Sequence, residues 1–130
     1  MSKTGLEYAS EYVNSMMDGL ALPYALKRWK EKEIPDLYFT GEITEVPSAS
    51  KDENGGQLFT AILRGFTRKG ESLLYGANAK IENSCPRRGI LPGGAAIVVE
   101  HDTAIPVHTG DAELTSIKIN LNIQVWRVKS

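Results

Sequence analysis

The feature that most constrains the fold lies near the C-terminus, where Ile117, Ile119, Leu121, Ile123 and Val125 alternate with Ser116, Lys118, Asn120, Asn122 and Gln124. Successive side chains leave a strand on opposite sides, so strict alternation predicts a β-strand with one dry and one wet face. Such a strand belongs in an antiparallel sheet whose second face meets water or a partner, because strands covered on both faces read as continuous apolar runs. From Leu114 to Val128 it would reach about 45 Å at ~3.3 Å per residue. It is therefore expected to bend or to extend past its own domain, with edges that need covering.

Upstream, Thr4 followed by Glu7 is a capping-box signature, and Leu6, Ala9, Val13, Met16 and Met17 recur near helical spacing, with Tyr8 and Tyr12 widening the stripe. Helical structure is expected over roughly Thr4 to Lys30. Gly19 should weaken or bend it, and Pro23 either opens a second short helix through Trp29 or sits in the kink between the two. From Pro35 the residues turn β-branched and aromatic, predicting a strand that runs to Val46 and stops at Pro47. The polar stretch Ser48 to Gly56, ending in Asn54-Gly55-Gly56, reads as a long hairpin tip, and Gln57 to Thr67 returns as the second strand. Glu71 to Ile81 carries a weaker helical pattern with Leu74, Ala77 and Ile81 on one side, ending before Pro86. Cys85 to Gly94, rich in Gly, Pro and Arg, is expected to be a loop leading into a short buried strand, Ala95 to Val99. The order predicts an α+β fold: an N-terminal helix, a mostly antiparallel β-sheet with a long-tipped hairpin, and a second helix packed on one face of the sheet. The 130 residues suit a single domain over residues 1–130.

Lys and Arg number 15 against 16 Asp and Glu, so no bulk positive field draws the monomer to nucleic acid or an anionic membrane. No apolar stretch approaches the ~18 residues of a spanning helix, and the first residues lack signal-peptide character, so a soluble cytoplasmic protein is expected. Cys85 is the single cysteine, which excludes an internal disulfide and a CxxC pair. His101, Asp102 and His108 form the one histidine-centred cluster, with Asp111 as the nearest further ligand; a solvated turn explains them better than a metal site. Gly89 to Gly94 has neither phosphate-loop spacing, and Cys85 has no motif that would activate it as a nucleophile. Arg87-Arg88 reads as a basic loop tip, and Glu42, Glu45, Asp52 and Glu53 as solvated carboxylates on or beside the hairpin loop. No catalytic centre, metal or cofactor is expected.

Four stretches carry a family resemblance. They are Ile34-Pro35 through Tyr38-Phe39-Thr40-Gly41-Glu42, the acidic tip Asp52-Glu53-Asn54-Gly55-Gly56, Phe66-Thr67-Arg68, and above all Ile105-Pro106 through Gly110-Asp111 and Leu114 to Trp126. They resemble the small tail-terminator, or tail-completion, proteins of long flexible-tailed bacteriophages and their prophages, with the layout of the lambda-type minor tail protein U group. The resemblance runs from about Trp29 onward, plus the leading helix, and consists of strand and turn patterns rather than chemical signatures. It implies a structural, non-enzymatic α+β subunit of the virion tail, made in the host bacterial cytoplasm. Such a subunit forms a homo-oligomeric ring, typically a hexamer, on the last ring of tail-tube protein, where it stops polymerisation and meets the head-proximal connector. On this reading Lys51, Asp52, Glu53, Asn54, Arg87 and Arg88 are candidate assembly contacts. Lys118 is a candidate channel-facing residue where DNA passes through the ring. The alternatives are another neck or minor tail component, such as a head-tail joining protein, and a small cytoplasmic binding domain using the wet sheet face or a pocket near His101 and His108.

Overall fold

Thr4 opens the first helix in the computed structural model, which describes residues 4–30, 32–46, 56–91 and 94–126. The Glu7 amide donates to the Thr4 hydroxyl at 3.1 Å and the Thr4 amide donates to the Glu7 carboxylate at 3.2 Å, completing the expected capping box of α1 (Gly5–Gly19). Tyr8, Ala9, Val13, Met16 and Met17 fall on its buried face. The helix stops well short of Lys30. Leu20 closes it, Ala21 turns the chain at φ 57°, and Tyr24–Leu26 becomes a short strand, β1, where a second helix was expected. A three-residue apolar run fits either period, and here a strand edge is available to satisfy its backbone. The Phe39 amide donates to the Pro23 carbonyl at 2.8 Å, and the Lys27 amide to the Gly41 carbonyl at 2.6 Å.

That edge belongs to β2 (Leu37–Glu45), which pairs antiparallel with β3 (Gln57–Thr67) in the expected hairpin. The hairpin tip, residues 47–55, lies outside the described residues. Helix α2 (Glu71–Asn83) follows from Gly70, whose φ of 104° an L side chain rarely adopts, and buries Leu74, Ala77 and Ile81 as the sequence predicts. Two expectations then fail. Arg87–Ile90 is not loop but an edge strand, β4, and the strand after it, β5 (Ala96–Val107), runs far beyond Val99. Its polar middle, Glu100 to Thr103, carries no apolar signal and is held in the sheet by its ladder to the last strand, with a bulge between His101 and Thr103.

The alternating segment forms β6 (Thr115–Trp126) and is paired on both sides, by β3 and by β5. Over its described residues it has no free edge and stays within the sheet, because its neighbours are about as long. The sheet order is β1-β2-β3-β6-β5-β4, antiparallel throughout except for β1 with β2. Phe59 opposite Ile123, Ala61 opposite Leu121 and Leu63 opposite Ile119 form the middle of the core, and both helices contribute to the same cluster. Phe39 lies across Gly65, where an added Cβ would come within 2.5 Å of its ring. One face of the sheet is therefore roofed by α1 and α2, and among the described residues no helix covers the other.

Candidate functional site

The helix-free face is built by the even-numbered residues of β2, β3, β6 and β4, because each antiparallel partner preserves the face of the residue opposite. At its centre Lys118 stands opposite Arg64 on β3 and Ile105 on β5, which places two cations side by side in the middle strands. Arg64 lies 3.9 Å from Glu42 on β2. The next row is aromatic: Tyr38 stacks on Phe66 with ring centroids 5.2 Å apart, and Trp29 tilts against Tyr38 at 5.5 Å. Lys118 thus sits on the wet face, as the alternation predicts, within a basic and aromatic band rather than alone.

The two arginines that read as one basic tip are separated by strand geometry. Arg87 points to the helix side, its guanidinium 5.9 Å from the centre of the Tyr12 ring on α1, while Arg88 is exposed on the opposite face. Lys51, Asp52, Glu53 and Asn54 lie outside the described residues. Glu45, at the far end of β2, accepts from Gln57 Nε2 at 3.3 Å. The groove between α1 and this end of β2, about 310 Å³, is lined by Leu6, Ser10, Leu26 and Ile43 among others.

His101 is not in a solvated turn. It sits at the β5 bulge under α2, its side chain 10% exposed, with Nε2 2.9 Å from Asn78 Oδ1 and Nδ1 3.8 Å from the Glu82 carboxylate. His108, seven residues further on, is exposed past the end of β5, so the two histidines do not form one cluster. Burial pushes the Cys85 thiol up, against the lowering effects of Ser84 and Arg87, which disfavours a thiolate nucleophile. Among the described residues no three His, Cys, Asp or Glu side chains are grouped to hold a metal ion.

Sequence reasoning missed the role of Asp111. Its carboxylate accepts from the Glu113 amide at 2.9 Å and lies 3.1 Å from Arg68, and these two contacts hold it below its ordinary value. It braces the turn between β5 and β6 against the end of β3, and the Asp-x-Glu spacing of an Asx turn was the available signal. A cleft of about 430 Å³ opens beside this turn, walled by Glu71, Leu74 and Tyr75 of α2 and by residues of the turn.

No family model matches the chain, and no curated protein matches it. Among solved structures, the chain is similar to one that it aligns with over 100% of both chains, at 16% identity and a TM-score of 0.62. That likeness shows a shared fold over the whole length.

Proposed function

We propose that this chain is a ring-forming structural subunit: its helices form one layer, and its helix-free sheet face looks into a central opening. The particular protein we infer is a tail terminator of a long-tailed bacteriophage or prophage, which caps the tail tube, stops its polymerisation and joins the tail to the head connector. The observation that carries the reading is the helix-free face. Among the described residues no helix covers this face, and Lys118 and Arg64 stand at its centre beside an aromatic row. Paired cations facing a lumen suit the passage of a phosphate backbone without sequence readout. The segment with the strongest family resemblance, Ile105 to Trp126, lies within β5, its turn and the central strand β6. Its likeness therefore concerns the framework of the subunit rather than an appendage.

The deciding experiment is the native mass of the full chain by light scattering on a sizing column at two salt concentrations, followed by negative-stain imaging. A closed ring of about six copies with a central hole is the expected result, since heterologous contacts that close give cyclic oligomers. A chain that remains monomeric at high concentration and does not join purified tail tubes would overturn the reading.

A further inference from the structure

The two edges of the sheet match each other in direction, backbone register and charge. Four successive antiparallel steps separate β2 from β4, so the two strands run the same way. A second copy that extends the sheet in the same orientation therefore brings its β4 alongside β2 as a parallel pair. On β4, the Leu91 amide donates inward to the Ala95 carbonyl, which by the alternation of an antiparallel ladder turns the N–H and C=O of Arg88 and Ile90 outward. On β2, the Val46 amide donates to Leu58 on β3, so the outward groups are those of Ile43 and Glu45. β1 ends at Leu26, opposite Gly41, the Lys27 amide donates to the Gly41 carbonyl, and among the described residues no strand lies beside Ile43 to Val46.

We infer that β4 of one copy adds as a parallel strand to the Ile43–Val46 edge of the next, beyond the end of β1, setting Arg88 opposite Thr44 and Ile90 opposite Val46, with Glu42 diagonal to Arg88 on the same face. In a parallel pair, a residue with outward groups sits opposite one whose groups point away, and the two share a face. Arg88 and Ile90 meet that condition against Thr44 and Val46, all four on the helix-free face. Antiparallel addition would instead set Arg88 or Ile90 opposite Ile43 or Glu45 and invert the neighbour, so of the two additions the parallel one keeps every helix on one side, as a ring with one inner face needs. Arg88 then gives its N–H to the Ile43 carbonyl and receives the Glu45 N–H, and Ile90 gives its N–H to the Glu45 carbonyl. Two further features favour a second copy as the occupant. Ile90 is 80% exposed, the most exposed large apolar side chain among the described residues, and Glu42 is 56% exposed, open to Arg88 of the neighbour as a second cation beside Arg64. This inference rests on the ring reading and names the interface that would close it.

The test uses two full-length chains in a Cys85→Ser background, one carrying Val46→Cys and the other Ile90→Cys. Opposed residues of paired strands lie within disulfide reach. Oxidation of the mixture should give a cross-linked heterodimer, and neither chain alone should dimerise. A dimer of the Ile90→Cys chain with itself would mean a two-fold edge contact and overturn the inference. Ile90→Pro removes the outward N–H while leaving the β4–β5 ladder intact, as proline is tolerated on an edge strand; it should weaken association about tenfold or more with no change in circular dichroism. Arg88→Gln and Glu42→Gln should each weaken association, and the double variant should add little to either. A closed ring that forms without the cross-link and is indifferent to Ile90→Pro would overturn the edge pairing and leave the ring reading standing. A chain monomeric at every concentration, without cross-linking, would count against both.

Discussion

Tyr24 shows how a single group can record its surroundings. Its ring packs against Gly41 from β1, its hydroxyl is buried without a hydrogen-bond partner, and burial raises its pKa from 10.0 to about 12. The folded state therefore holds this proton more tightly than the unfolded chain. The associated stability is complete below pH 10 and is lost as pH rises from 10 towards 12. Tyr24→Phe should flatten that alkaline decline in a series of urea melts. At neutral pH it should leave stability unchanged or raise it by about 1 kcal/mol, because an unsatisfied hydroxyl is removed. Leu121 poses the opposite case. It is fully buried in the central strand between Ala61 and His101, so Leu121→Asp places an unpaired charge in the core. We expect loss of the folded state, at a cost above about 4 kcal/mol, visible as collapse of the thermal transition. A soluble, cooperatively folded Leu121→Asp protein would mean that the dry face is assigned wrongly.

At the scale of elements, the strands legible from sequence were those whose side chains alternate between the helix-covered core and the helix-free face. β2, β3 and β6 have that pattern, and their observed limits fall within a residue or two of the expected ones. β4 and the middle of β5 lack it. Arg87–Ile90 is an edge strand with one covered flank, and Glu100 to Thr103 is polar, so their strand character comes from backbone pairing with neighbours distant in sequence. The same long-range placement brings His101 beneath α2, where Asn78 ties the helix to the bulge. Asn78→Ala should leave the His101 ring nitrogen unpaired at a site only slightly exposed and destabilise the domain by about 1 kcal/mol in chemical denaturation. An unchanged midpoint would show that the contact does not anchor α2.

For the whole molecule, the two-layer arrangement leaves one sheet face and two sheet edges as the surfaces for assembly, and they differ in what salt should do to them. Contact through Arg88 and Glu42 is partly solvated, so self-association should weaken between low and physiological salt, where the screening length falls to about 8 Å. Light scattering at several ionic strengths checks this, and association that strengthens with salt would point to a purely apolar contact instead. Local pattern alone determined that this chain has an N-terminal capped helix, a long-tipped hairpin, a second helix and a half-wet final strand, because caps, turns and periodicity act over a few residues. Lys118 was placed on the wet face for the same reason. Only the tertiary structure decided that β6 lies at the centre of the sheet, that Arg87 and Arg88 face opposite sides, that β1 is a strand, and that Arg64 stands beside Lys118. Each of these depends on which distant strand supplies the backbone partner, and hydrogen bonding between strands leaves no periodic trace in the residues it joins.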